Sequence, residues 1–267
     1  MAGLVLFAPA LYIHLRGAQV DSPGASIPGS PVAETPIATT DLSATGAKLS
    51  SPVFVAGWSS PRRNAGSGTT TQSVTICNLA GGCKAGDTIV VNYWQCCTTA
   101  QSLSNVTDNQ GNVYREIVLA NGPNGNNVFA DLWGTASLKT SANSLTLTVT
   151  VPDTSHYRAI FAQQYRNVLG FGATHFTGQS NGGTVSESLT TTGSNSLVAV
   201  SFDIGFMTGL TQTGGPVATM NFSYDDNANR WGLFLWDSAV VKTGAYAWTW
   251  SSSGVNSTFE SVAIELK

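Results

Sequence analysis

Residues 144–151 read "SLTLTVTV": Leu145, Leu147, Val149 and Val151 alternate with serine and threonine. Successive side chains of a β-strand point to opposite faces, so this run buries one face and wets the other. The same grammar recurs in "PVFVAGW" (52–58), "TTQSVTI" (70–76), "DTIVVNYWQ" (87–95), "VYREIVL" (113–119), "VFADLW" (128–133) and "YRAIFAQQY" (157–165). It continues in "TVSESLTT" (184–191), "SLVAVSFDI" (196–204), "RWGLFLWDSAVV" (230–241), "AYAWTW" (245–250) and "FESVAIEL" (259–266). Turn-forming clusters such as "DNQGN", "TSAN", "TGSN" and "DDNAN" separate the runs. No segment carries a 3.6-residue period.

The reading is an all-β fold, a single two-sheet jelly-roll-like sandwich over 52–267. Two tandem immunoglobulin-like domains would use a similar length. The absence of a central Pro/Gly linker and of any repeated sequence favours one domain. Residues 205–216, "GFMTGLTQTGGP", read as an end loop.

The beginning of the chain differs. Residues 1–20 are apolar from Ala2 to about Leu15, too short for a membrane span. They read as export-signal-like or as a buried N-terminal segment, without the usual preceding basic residues. Residues 21–51 carry Pro23, Pro28, Pro31 and Pro36 and then small polar residues, which reads as an extended linker or arm.

Charged residues make up only 10% of the chain, with 12 basic against 15 acidic. Nucleic-acid binding needs clustered Lys and Arg, and the only Arg pair is Arg62-Arg63. So sparse a charge does little to keep copies apart and suits an extracellular protein or one that packs against itself.

All four cysteines, Cys77, Cys83, Cys96 and Cys97, lie within residues 77–97. Zinc spacing and the redox C-x-x-C motif are absent, which leaves disulfides. The preferred pairing is Cys77–Cys83, around the glycine-rich "NLAGG", with Cys96–Cys97 as a vicinal pair. The crossed connectivities and four reduced thiols remain open.

Chemistry is sparsely written. His14, His156 and His175 lack a second ligand at metal spacing. Glu116, Glu187 and Glu260 fall on expected strands, where a facing pair would serve a glycosidase and a solvated strand face explains them equally well. Tyr246, Trp248 and Trp250 share one strand face, as a sugar-stacking platform or as core. Asp225, Asp226 and Asn227 offer hard oxygen ligands for calcium in what otherwise reads as a polar turn. Asn105, Asn221 and Asn256 each begin a glycosylation triplet. No cofactor motif is present.

The segments "AGDTIVVNYW", "VTDNQGNVYREI", "FADLWGTASLKTSANSLTLTVTV" and "ESVAIELK" resemble a group of secreted bacterial β-sandwich surface proteins over residues 69–267. That resemblance implies extracellular or cell-surface placement and brings no catalytic residues. The extended arm is also similar to that of pilus-like filament subunits joined by donated strands, by analogy alone. The expected function is non-enzymatic: a structural subunit that partners copies of itself by β-strand addition, with polysaccharide binding as the alternative.

Overall fold

The computed structural model describes residues 50–60, 68–96, 103, 105–121, 128–135, 137–151, 157–180, 183–205, 209–226, 231–252 and 258–267. They belong to a compact unit, Lys48–Lys267. Among them there is no helix, and none long and apolar enough to cross a membrane.

Among the described residues sixteen strands form in chain order. The first eight are β1 (Val53–Ser59), β2 (Thr71–Ile76), β3 (Thr88–Cys96), β4 (Asn105–Asp108), β5 (Arg115–Asn121), β6 (Val128–Thr135), β7 (Leu145–Thr150) and β8 (Tyr157–Arg166). The rest are β9 (Phe171–Ser180), β10 (Thr184–Thr191), β11 (Ser196–Gly205), β12 (Leu210–Gly214), β13 (Thr219–Asp226), β14 (Trp231–Val240), β15 (Gly244–Ser252) and β16 (Thr258–Leu266).

The all-β sandwich reading holds, but the strands make four sheets where two were expected. The orders are β1-β8-β3-β6-β5 and β2-β7-β4, then β9-β16-β11-β14-β13 and β10-β15-β12. Adding eight to every strand number of the first two orders yields the second two. The fold is therefore two jelly rolls of the same topology in tandem, a repeat of connectivity that no repeated sequence announces. In each, the fifth strand pairs with the sixth and so widens one sheet to five strands.

Three apolar layers hold this stack together. The first packs β2, β7 and β4 (Val74, Ile76, Val106, Leu145, Leu147, Val149) on one face of the first five-stranded sheet (Ile89, Val91, Tyr93, Ile160). The second joins the two five-stranded sheets, with Val90, Trp94, Leu132 and Phe161 meeting Leu197, Leu235, Val262 and Ile264. The third packs Val200, Phe202, Phe234 and Trp236 against Val185, Leu189, Trp248 and Trp250. Each large apolar side chain so buried contributes about 1.5–3 kcal/mol.

The five-stranded sheets are covered on both faces, which explains their near-continuous apolar strands. The β14 sequence "WGLFLW" is a case: Leu235 enters the middle layer while Phe234 and Trp236 enter the outer one. Its cover is thus sheets of its own chain. Residues 205–216 also depart from expectation, since β12 lies within this apparent loop. Glycine permits the closest approaches in the middle layer. A Cβ at Gly134 would come within 2.6 Å of the Phe171 ring, and one at Gly57 within 3.0 Å of Phe222.

Candidate functional site

The carboxylates proposed for catalysis do not converge. Glu116 is exposed on β5, at the edge of the first five-stranded sheet. Glu187 lies on β10 in the alternating register that buries Val185 and Leu189. Glu260 is buried on β16, and its neighbour Ser261 turns to the opposite face to donate to Glu187. Glu187 and Glu260 are therefore on opposite sides of one sheet. The facing pair that a glycosidase requires is not formed by these three residues.

Glu187 instead ties three strands together. His175 Nδ1 on β9 lies 2.5 Å from its Oε1, Thr177 donates to the same oxygen at 3.2 Å, and the Ser188 N–H donates at 2.9 Å. Burial pushes this carboxyl above its ordinary range, although Ser261, His175 and Ser188 all oppose that shift. The Ser hydroxyl binds the carboxylate and not the imidazole, so this is not a nucleophile–base–orienter arrangement.

Other carboxylates act as staples for turns at one end of the stack. Glu265 accepts from the backbone N–H groups of Ala173, Thr192 and Gly193 and from the hydroxyls of Thr192 and Ser196. Burial would raise it, but these donors outweigh burial and hold it down at about 2. Asp108 closes the β4–β5 turn through Gln110, Asn112 and Tyr114. Asp87 accepts from the Lys84 N–H, Gln164 and Arg166.

The cysteine staple forms as read. Cys77 and Cys83 are bonded, with Cα atoms 5.0 Å apart. Cys77, Gly81 and Gly82 take positive φ to close the ring. Cys83 also exchanges both backbone hydrogen bonds with Ala142. The Cys96–Cys97 pairing lies outside the described residues.

The aromatic row corrects the sugar-platform expectation. Trp248 and Trp250 are 0% exposed, and only Tyr246 is half-buried. Trp250 meets Phe202 edge-on at 4.6 Å, and Tyr246 stacks on Trp248 at 6.0 Å. These rings fill the interior between two sheets and present no row to solvent.

Of the glycosylation candidates, Asn105 is exposed on β4. Asn221 is half-buried at a bulge in β13 and spends its amide nitrogen on Asp237, so the atom that would carry a glycan is engaged. Asn256 lies outside the described residues. So do Asn227, the side chains of Asp225 and Asp226, His14 and His156. Among the described residues no three His, Cys, Asp or Glu side chains gather as a metal site.

The sheet edges hold the most informative geometry. Eight strands lie at edges, and five of them carry a bulge: β1 at Val55, β5 at Ile117, β13 at Asn221, β12 at Thr213 and β9 at Gly172-Ala173. Bulges twist an edge away from pairing with another chain. Three edges remain regular: β4, only four residues long, and the topologically equivalent β2 and β10. On β10 the Ser188 N–H is capped by Glu187. On β2, Thr70 accepts from the Val151 N–H at 2.8 Å, so the even-numbered residues face β7. By alternation, Thr71, Ser73 and Thr75 turn their N–H and C=O groups outward. Sequence reasoning missed this asymmetry, because bulges depend on register and not on composition.

Comparison of the chain with protein-family models, with curated proteins and with solved structures found no match.

Proposed function

We propose that this protein is a non-enzymatic extracellular structural subunit that assembles with copies of itself by strand addition along β2. The observation carrying this reading is the contrast among edges. Five are bulged, β4 is only four residues long and β10 has its Ser188 N–H capped, whereas β2 is regular and turns the N–H/C=O pairs of Thr71, Ser73 and Thr75 away from β7. The buried disulfide supports an oxidising compartment. The resemblance to secreted surface sandwiches points the same way, and Glu187, Glu265, Asp87 and Asp108 are occupied in holding turns and layers.

The donor is the N-terminal arm of a neighbour. A donated strand needs backbone N–H groups, and residues 37–51 contain no proline. Val53–Ser59 already pairs with β8 in its own sheet, so the donor ends before Val53. Sedimentation velocity of the full chain and of a chain lacking residues 1–50 tests the proposal. The full chain forms concentration-dependent assemblies and the truncated chain a folded monomer. Assemblies that persist after truncation would remove the arm from the mechanism.

A further inference from the structure

The outward face of the sheet β2-β7-β4 is an uncharged lattice of hydroxyl groups. Its register sets Thr71 beside Thr150 and Asn105, Ser73 beside Thr148 and Thr107, and Thr75 beside Thr146. Seven of these eight side chains are Thr or Ser, none is ionisable, and all are exposed or half-buried. The rows repeat about every 6.6–6.8 Å along a strand and about every 4.7–4.9 Å between strands.

Two features mark this lattice as more than an ordinary wet face. It lies on the one sheet of the four whose ladders run without a register shift, whereas each of the others contains at least one bulge. The hydroxyls are also pre-set: Ser73 and Thr148 bond each other at 2.9 Å across the strands, and Thr107 donates to the Thr148 carbonyl. The equivalent sheet of the second jelly roll repeats the chemistry in part. Thr184, Ser186, Ser188 and Thr190 of β10 face outward beside Ser251, Thr249, Ala247 and Ala245 of β15.

The geometry points to ice as the surface that this face binds. A dissolved sugar gains little from bare hydroxyls, because each bond merely replaces one to water. It needs the aromatic or charged anchors that this face lacks. Ice is itself a lattice of water, comparable in repeat to the ladder, so fixed hydroxyls can occupy its oxygen positions with few lost hydrogen bonds. The threonine methyls supply contact area without ordering water around a charge. A rigid sheet pays little entropy on docking, so many weak contacts add. A charged side chain in the middle of the array would break both neutrality and fit. This inference stands apart from strand addition, since it rests on the face and not on the edge of β2.

The test is ice partitioning: the full chain in a slowly frozen solution, with the fraction captured in ice measured against serum albumin. Wild type and the turn variant Val241→Lys, placed outside the lattice, are enriched in ice. Thr148→Lys, whose native fold is checked by circular dichroism and melting temperature, loses at least tenfold of that enrichment. A second variant, Thr107→Lys, guards against failure of the first to fold and gives the same loss. Exclusion of wild type equal to that of albumin would overturn the inference. So would equal capture of all variants. Binding to microcrystalline cellulose, or self-association, that disappears with Thr148→Lys while ice capture stays at the albumin level would assign the face to that partner instead.

Discussion

The Asn92 side chain on β3 donates to the Ser201 hydroxyl on β11 at 3.0 Å, across the layer that joins the two jelly rolls. Gln163 donates to the same hydroxyl at 3.1 Å, and Tyr165 donates to Gln163. An apolar interface thus has a polar rivet at its centre, between the middle strands of its two sheets. Ser201→Ala leaves two buried amide donors without this acceptor. The expected loss is about 1–3 kcal/mol, read as a lower urea midpoint with an unchanged m-value.

Glu265 makes the fold acid-sensitive. Its folded value, about 2, lies below the unfolded 4.5. Its contribution is therefore complete above 4.5 and is lost as pH falls from there through about 2. The span amounts to about 3 kcal/mol. Glu265→Gln should lower stability at pH 7 and flatten the acid limb of a stability–pH curve.

Asp237 acts in the opposite direction. Burial raises it to about 6, only partly offset by the Asn221 amide. A raised carboxyl favours the fold below its unfolded value of 3.8, and that advantage is lost as pH rises through about 6. Asp237→Asn keeps the shape without the buried charge. Its melting temperature at pH 8 should exceed that of wild type by an amount equivalent to about 1–3 kcal/mol, and the two should converge near pH 4.

The Cys77–Cys83 bridge closes a short ring. On the chain-entropy model a ring of this size stabilises by about 2 kcal/mol. The double variant Cys77→Ser, Cys83→Ser should fold with that loss, measured by chemical denaturation. Both sulfurs are buried, so mild reductant should leave the native bond intact.

Local structure was legible where one face is wet. The run 144–151 becomes β7, and "TVSESLTT" becomes β10 over the same eight residues. The same alternation sets Glu187 in register with Val185 and Leu189, a sign of burial that the reading of a solvated strand face passed over. The layer count was hidden. "TIVVNYW" and "SLVAVSF" lack alternation because sheets cover both of their faces, and an apolar run does not say what covers it. The tandem topology was hidden for another reason: ladder order repeats, while β3 and β11 differ at most positions. Burial likewise decides the row Tyr246, Trp248 and Trp250, whose spacing fits a platform and a core equally well.

A proline placed at Ser73 removes one outward N–H and the exposed Ser73–Thr148 hydroxyl bond, but no backbone bond to β7. Ser73→Pro should leave a folded monomer, assessed by melting temperature, and reduce assembly at least tenfold in sedimentation experiments.

Amide hydrogen exchange at Thr71, Ser73 and Thr75 tests the assembly account most directly. In assembled full-length protein these three amides should exchange slowly, and in the chain lacking residues 1–50 they should exchange at the rate of an open edge. Fast exchange in the assembled material, or slow exchange in the truncated monomer, would contradict strand addition at β2.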